Sequence, residues 1–331
     1  MGSMATNTTE MEAMSAKLRG QKLHIPDLRP IYNQWPTKCS PHYAQLKVTV
    51  ELKIKEWIPA EDEKMRQSAR KIDVAMFSAV WYPGCALDRL ETMAWYTMWI
   101  VLWDDDIEDT VDLPKLRGIH NQALKYVAWC LGLEGEETTS PTKYCSLFQY
   151  CGAPLKAACT VAELKRLYQE IERYMRGCEE EATYVVSGKI PDEKTYWAHR
   201  LGSSSCDTYN ALGEYMCGNT IPEELFEKPQ MSDMWTELNK QIVCLNDLVS
   251  LKNEVARNWC GMVPIIMKED ASDSLEDAVA TVVESIRKCG EIVERSAKEL
   301  VAMAPDDDQK KNVENYVYVF LTNMSGNYWW S

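Results

Sequence analysis

The 331-residue chain carries 36 lysines and arginines against 50 aspartates and glutamates, which gives a formal net charge of −14. This acidic balance, with no basic block, argues against nucleic acid and anionic membrane surfaces as partners. The longest apolar run, 93–103, is too short to span a bilayer. Twelve scattered cysteines without a C-x-x-C pair indicate reduced thiols in a cytoplasmic protein.

The elements predicted along the chain are helices after an irregular start. Residues 1–23 are polar and lack turn chemistry, so we expect a loose tail with some nascent helix. Four prolines within 24–43 predict an extended wrapping segment. A capping-box pattern at 160–163 opens one of the amphipathic stretches that follow, and no period-two run indicates a strand. We therefore predict an all-α protein, with an N-terminal segment at 1–43 and one helical domain at 44–331.

An acidic run, DDDIE at 104–108, follows the long apolar stretch directly. Acidic runs are commonly solvated helix ends, but 93–103 is apolar nearly all round, which predicts a helix buried in the middle of the protein. The same helix then carries Asp104 and Asp105 to the end of the core, with Glu108 one turn later on the face of Asp104. Carboxylates held together at a partly dry site repel one another unless a cation lies among them, and their hard oxygens suit Mg²⁺.

A second polar cluster follows one row of a predicted helix. Leu238 and Ile242 begin an i, i+4 row that continues as Asn246, Ser250 and Glu254. These last three lie within about 80° of one another on an ideal helix. Such a row can mark a helix that emerges into solvent, but an amide oxygen, a hydroxyl and a carboxylate in one column also form half of an octahedral Mg²⁺ site. If both helices line one bundle, the two clusters face each other across its mouth.

Together these residues resemble the class I terpene synthases, and especially the single-domain fungal and bacterial type. The run at 104–108 resembles the aspartate-rich motif DDxx(D/E), and NDLVSLKNE at 246–254 resembles the motif NDxxSxxxE. Arg200 stands 46 positions before Asn246, where the family has an arginine that senses diphosphate. The segment GNYWWS at 326–331 is similar to the family's C-terminal aromatic segment.

The resemblance implies an all-α bundle that cyclises an isoprenyl diphosphate with the help of three Mg²⁺ ions. It assigns metal ligation to six residues, Asp104, Asp105, Glu108, Asn246, Ser250 and Glu254. It assigns diphosphate binding to Arg200, and it suggests Phe77, Trp99 and Trp330 as linings of the substrate pocket. The protein is expected to be a monomer or a homodimer.

Two features depart from the family pattern. Asn253 stands where the family has a lysine, and no arginine–tyrosine pair follows Trp330 in the sequence. Lys252 points about 200° away from Ser250 on an ideal helix, so it is a poor substitute. We expect these differences to weaken the hold on diphosphate.

The sequence leaves the substrate length and one rival reaction open. The chain length and the lack of a fused domain favour farnesyl diphosphate and a sesquiterpene product, with geranylgeranyl diphosphate and a diterpene as the main alternative. A chain-elongating prenyl diphosphate synthase is expected to carry a second DDxxD motif, whereas this chain has the pattern at 246–254. An inactive helical relative is the remaining alternative.

Overall fold

The computed structural model describes residues 8–107, 110, 112–270 and 274–331, and its regular structure within these ranges is helical, without a β-strand. The α-helices of these ranges, in chain order, are α1 (Glu10–Leu18), α2 (Arg29–Tyr32), α3 (Tyr43–Trp57), α4 (Glu63–Ile72), α5 (Val74–Trp81), α6 (Leu87–Ile107), α7 (Leu113–Leu131), α8 (Phe148–Ala158), α9 (Val161–Ser187), α10 (Glu193–Ser203), α11 (Cys206–Ala211), α12 (Gly213–Cys217), α13 (Pro229–Arg257), α14 (Met262–Glu269), α15 (Leu275–Ala302) and α16 (Asp307–Trp330). Short 3₁₀ turns lie at Cys145–Leu147 and Glu223–Leu225. The all-α prediction is confirmed.

Helix α6 runs through the protein interior, as its apolar sequence predicts. Trp99 and Trp103 are fully buried on it, and α6 packs against α5 on one side and α8 on another. Asp104, Asp105 and Asp106 of its last turn are exposed. The helix therefore carries its carboxylates from the core to the end of the bundle.

Helix α13 makes the same transition along one row. Leu238 is fully buried and Ile242 is 9% exposed, whereas Asn246 is exposed and Ser250 and Glu254 are half-buried. The helix packs along α15 on its apolar side. The predicted change from apolar to polar partway along the row is thus present, and it places the polar column at the end of the packed region.

The segment beside Arg200 contains a break between two helices. Helix α10 ends at Ser203, and Ser205 has a left-handed backbone with φ of 61° before α11 begins at Cys206. The break falls within the small-residue stretch GSSS at 202–205.

Helices α9 and α10 approach each other at a pair of glycines. A Cβ atom at Gly177 would lie 2.4 Å from the backbone nitrogen of Ser203 and 2.8 Å from the carbonyl oxygen of His199. A Cβ atom at Gly202 would lie 2.8 Å from the carbonyl oxygen of Arg173. The close crossing holds α10, and with it Arg200, against α9.

A methyl group at this crossing is expected to be costly. Gly177→Ala should lower the free energy of unfolding by roughly 1–3 kcal/mol, because backbone rather than a mobile side chain must move to make room. Urea denaturation measures this change. The matched control is Gly118→Ala on α7, where nothing lies within 4 Å of the added atom and the helix should gain about 0.5–1 kcal/mol. Equal stability of the two variants would contradict the packing described.

The expectation of a loose tail is wrong for Glu10–Leu18, which form a helix with a capping box between Thr9 and Glu12. Met11 and Leu18 are buried on this helix, and the Met11 N–H donates to the carbonyl oxygen of Gly188 at 3.0 Å. The sequence predicts no more than nascent helix here, because the buried stripe includes the small polar residue Ser15 and so shows a weak apolar period.

The proline-rich segment 24–43 leads from the N-terminal helix to the start of α3. It is irregular apart from the four residues of α2, and it buries Tyr32 and Trp35. All twelve cysteines are free thiols. Within the described ranges no helix combines the length and the apolar character needed to cross a membrane.

Candidate active site

The end of α6 is held by a tyrosine from α9. The Tyr174 hydroxyl donates to Asp104 Oδ1 at 2.9 Å. Burial and the nearby charge of Asp104 raise the pKa of Tyr174 well above its ordinary value, so the phenol stays protonated and remains a donor. Asp106 is exposed, and Glu108 lies outside the described residues. A hydrogen bond from a neighbouring helix therefore fixes the orientation of the Asp104 side chain.

Asp105 links the acidic run electrostatically to the end of α13. Partial burial raises the pKa of Asp105, while the positive charges of Arg257 and Lys64 act in the opposite direction. Because Arg257 is the last residue of α13, the two motif-bearing helices end near each other. The end of α6 therefore contributes negative charge, and the end of α13 positive charge, to the same region of the protein.

The polar column on α13 is internally connected. The Ser250 hydroxyl donates to the main-chain oxygen of Asn246 at 2.6 Å and also contacts Glu254 Oε1. Glu254 Oε2 is buried without a hydrogen-bond partner. Burial and the neighbouring charge of Asp247 raise the pKa of Glu254 to about 8. The column thus presents a buried carboxylate oxygen that nothing in the described protein satisfies.

Arg200 lies between the column and a buried aspartate. Its Nη2 atom donates to Asn246 Oδ1 at 3.3 Å and lies 3.7 Å from Asp247 Oδ1. Burial acts to lower the pKa of Arg200, but Tyr196, Glu181 and Asp247 raise it well above its ordinary value, so the guanidinium stays charged. This places a fixed positive charge with several donors at the site.

Asp247 is held by three partners around its carboxylate. The Tyr196 hydroxyl and the Met262 N–H donate to its Oδ2 atom at 2.5 and 2.8 Å, and Arg200 faces Oδ1. The Asp247 side chain is 1% exposed. Burial raises the pKa of Asp247 above the ordinary carboxyl value, while the positive charge of Arg200 and the two hydrogen bonds act in the opposite direction.

Two adjoining cavities bring the sequence motifs together. The larger one, of about 480 Å³, is bordered by the α13 column and is called the column cavity. The smaller one, of about 160 Å³, is bordered by Asp104 and is called the aspartate cavity. Glu181, Arg200 and Trp259 border both cavities. The two clusters, 142 residues apart in sequence, therefore lie on either side of Arg200.

The donor set fits a hard divalent cation better than a soft one. Among the described residues no three histidine, cysteine, aspartate or glutamate side chains converge as a metal site. The column offers instead an amide oxygen, a hydroxyl and the unsatisfied carboxylate oxygen of Glu254, which are ligands of the kind that Mg²⁺ accepts. The residues present thus fit the metal that the sequence suggests.

The structure brings two of the three predicted aromatic residues together. The Phe77 ring lies 5.2 Å from that of Trp330 and 5.3 Å from that of Tyr209, measured between centroids. Trp99 instead stacks on Trp103 at 5.5 Å and meets Phe148 of α8 edge to face at 4.7 Å. Phe77 and Trp330 therefore share an aromatic cluster, and Trp99 makes its ring contacts with other residues than these two.

Sequence reasoning missed the contribution of α9 to this region. Tyr174 contacts Asp104, and Glu181 borders both cavities. The two residues are seven positions apart, which places them on one face of a helix. Their spacing on the inner face of an amphipathic helix is the sequence pattern that could have identified both residues.

Loss of the Tyr174 hydroxyl should loosen Asp104. We expect Tyr174→Phe to weaken binding of Mg²⁺ in the presence of diphosphate by about tenfold, because a positioned carboxylate binds metal more tightly than a free one. Isothermal titration calorimetry measures this affinity without turnover. Tyr168→Phe, on the same helix and bordering neither cavity, is the control and should bind as the unaltered protein does. Equal affinity of the two variants would show that the hydroxyl does not orient the ligand.

A protein-family model and two similar proteins support the interpretation of this region as a metal-binding site. The family model for terpene synthase family 2, C-terminal metal binding, matches residues 96–291. The sesquiterpene cyclase hepA of Aspergillus oryzae is 28% identical over 339 residues, which cover 96% of this chain and 90% of that protein. The terpene cyclase braA of Annulohypoxylon truncatum is 25% identical over 326 residues, which cover 94% of this chain and 85% of that protein.

Solved structures show the same fold. Hedycaryol synthase in complex with HEPES matches with a TM-score of 0.77 at 19% identity, over 93% of this chain and 98% of its own. Linalool/nerolidol synthase from Streptomyces clavuligerus matches with a TM-score of 0.78 at 17% identity, over 93% of this chain and 99% of its own.

The matched family model covers more than half of the chain and includes both motif-bearing helix ends, from within α6 to within α15. The predicted resemblance to class I terpene synthases is confirmed. The chain belongs to the terpene synthase family and is a terpene cyclase, a lyase that acts on a prenyl diphosphate and binds divalent metal.

Proposed function

We propose that the protein cyclises farnesyl diphosphate to a sesquiterpene and releases diphosphate, with Mg²⁺ as its metal. The relative named a sesquiterpene cyclase supports the C15 substrate, since it aligns along 96% of this chain. The observation that carries the proposal is the arrangement around Arg200, which places a permanent cation between Asp104 and the α13 column. A diphosphate with its metal ions needs both kinds of charge at one place.

The proposed roles follow the positions of the side chains. Metal would be held by Asp104 and Asp105 at the end of α6 and by Asn246, Ser250 and Glu254 on α13, with three ions in total. The sequence motif adds Glu108, outside the described residues, to the first group. When bound, the ions neutralise the charge that develops on diphosphate as the carbon–oxygen bond breaks. Arg200 donates to diphosphate oxygens with its planar fork and keeps the leaving group oriented.

The protein must then hold the carbocation away from water. The cluster of Phe77, Trp81, Tyr209 and Trp330 supplies apolar surface and aromatic faces, each of which stabilises a cation by roughly 0.5–2 kcal/mol. We propose these side chains as pocket linings. We also propose Trp99 as a pocket residue, because Tyr96 connects it to this cluster. The Tyr96 ring contacts that of Trp99 and lies 5.4 Å from that of Tyr209.

Product analysis tests the substrate directly. The protein is incubated with Mg²⁺ and, separately, with geranyl, farnesyl and geranylgeranyl diphosphate, and products are identified by gas chromatography–mass spectrometry. We expect a Mg²⁺-dependent cyclic hydrocarbon or alcohol from farnesyl diphosphate, and none when metal is chelated. A cyclic product from geranylgeranyl diphosphate alone would replace the substrate proposed here. Longer diphosphates formed only with isopentenyl diphosphate would establish chain elongation instead.

The remaining proposals concern organisation. We propose that 44–331 is the catalytic domain, with 1–43 as a segment that wraps it, and that the protein acts in the cytoplasm as a monomer or homodimer without a nucleic-acid partner. Size-exclusion chromatography with light scattering measures the oligomeric state. Three or more copies per particle would contradict this part of the proposal.

A further inference from the structure

The helix break beside Arg200 leaves one main-chain carbonyl without its helical partner. The Ser204 N–H still donates to the carbonyl oxygen of Arg200 at 3.0 Å. The next amide, that of Ser205, turns to the carbonyl oxygen of Gly202 at 3.0 Å. In a continuous α-helix that amide would bond to Leu201, four residues earlier. The break therefore leaves the carbonyl of the half-buried Leu201 without a main-chain donor, and an acceptor shielded from water is costly to leave unpaired.

Asn239 of α13 makes the shorter of two side-chain contacts to this carbonyl, since the Ser204 hydroxyl also lies 3.3 Å from the Leu201 oxygen. The Asn239 Nδ2 atom donates to the Leu201 oxygen at 2.8 Å, and its Oδ1 atom accepts from the Ser204 hydroxyl at 2.8 Å. The Ser204 oxygen also accepts from the Cys206 N–H at 3.2 Å, at the start of α11. Asn239 is fully buried, so water does not substitute for these contacts. One amide group thus joins both sides of the break.

The position of Asn239 connects the break to the site. Asn239 lies seven residues before Asn246, which is about two turns and the same face of α13. Leu201 directly follows Arg200, and Ser203 borders the aspartate cavity. A single helix therefore carries both the polar column and the clamp on the segment that presents Arg200.

We propose that Asn239 is a positioning residue that holds the break between α10 and α11 in register with the metal-binding column and so sets how the prenyl cation is folded. The part of this proposal that concerns products rests on the proposed cyclisation of farnesyl diphosphate. Because Asn239 touches neither Arg200 nor the column directly, its loss leaves the diphosphate anchors in place. The Michaelis constant should therefore change little, while kcat falls and the product mixture broadens.

The test uses variants that remove defined parts of the clamp in the full chain. Asn239→Leu keeps the approximate volume and removes both hydrogen bonds, whereas Asn239→Asp keeps the acceptor for Ser204 and loses the donor to Leu201. Ser204→Ala removes the other bond. The matched control is Gln241→Leu, since Gln241 is a buried amide on the same helix that donates to the carbonyl oxygen of Ile286 at 3.3 Å, on the α15 side.

Two measurements compare these variants with the unaltered protein. Gas chromatography–mass spectrometry gives the product ratio, and hydrogen exchange measured by mass spectrometry reports the amides of 203–206 without requiring turnover. We expect Asn239→Leu to speed exchange in this segment about tenfold and to at least double the share of minor products. Asn239→Asp should shift both in the same direction at least as far, because its carboxylate oxygen would face the Leu201 carbonyl oxygen in a buried site, and Gln241→Leu should leave both as in the unaltered protein.

Each outcome decides the inference. Unchanged exchange and unchanged products in Asn239→Leu overturn it, and so do equal changes in Gln241→Leu. If Asn239→Leu does not fold, Ser204→Ala decides, because a wild-type exchange rate and product ratio in that variant also overturn the clamp. If the unaltered protein makes no product from farnesyl diphosphate, the proposed substrate fails, while the exchange experiment still decides the role of Asn239.

Discussion

Replacing Glu254 with alanine is expected to lower turnover by roughly 10³-fold, which corresponds to about 4 kcal/mol of transition-state stabilisation. The reason is the loss of a carboxylate from the α13 column. The same substitution should leave the free energy of unfolding unchanged or raise it by about 1 kcal/mol. Glu254 Oε2 is buried without a partner and burial raises its pKa to about 8, so this side chain costs stability in the absence of metal. Product formation and urea denaturation measure the two effects.

Asn246→Ala should lower turnover to a similar extent, since it removes the amide oxygen that faces Arg200. The matched control is Val249→Ala, an exposed position on the same helix that borders neither cavity. That control should keep full turnover. Near-normal turnover of Glu254→Ala with Mg²⁺ would remove the column from the proposed metal site. A large loss of stability in Glu254→Ala would instead assign the side chain a structural role.

The α13 column could be predicted from the sequence because it depends on one helix alone. The spacing of Asn246, Ser250 and Glu254 places them in one row whatever the helix packs against. The same holds for Asp104 and Asp105, whose exposure follows from the end of the apolar run. These local patterns determine which side chains share a face. They do not determine which side chains of other helices lie opposite that face.

Contacts between helices were outside the reach of sequence reasoning for that reason. Tyr174 and Asp104 are 70 residues apart, and no local pattern pairs them. The ring contacts of Trp99 illustrate the same limit, since a helix that is apolar all round gives no sign of which helices pack against each of its sides. The N-terminal helix was expected only as nascent helix because a serine interrupts its buried stripe. Packing against a partner, rather than propensity, decided each of these cases.

Arg200 combines a functional and a structural role, and a pair of substitutions separates them. Arg200→Met should lower turnover by roughly 10²–10³-fold, because a fixed cation for diphosphate is lost. It should also destabilise the fold by about 3–5 kcal/mol, because the carboxylate of Asp247 is left buried without its counter-ion. Urea denaturation and kcat/KM for farnesyl diphosphate measure the two losses.

The destabilisation of Arg200→Met should depend on pH in a defined direction. Burial already raises the pKa of Asp247, and removal of Arg200 raises it further because the guanidinium acts against that shift. The folded state then binds a proton that the unfolded chain releases, so stability falls as pH rises above the ordinary carboxyl range. The deficit relative to the unaltered protein should be smallest near pH 4, where the carboxyl of the unfolded chain is also protonated in part, and should grow towards pH 8.

Adding Asp247→Asn to Arg200→Met should restore most of the lost stability, since the neutral amide keeps an oxygen for the Tyr196 hydroxyl and the Met262 N–H. The pH dependence of the deficit should disappear with the carboxyl group. Turnover should stay low in the double variant, because no cation for diphosphate has been returned to the site. Recovery of turnover together with stability would show that Arg200 serves only as the counter-ion of Asp247, and diphosphate binding would then have to be reassigned to another cation at the cavities, of which Arg257 is the described candidate.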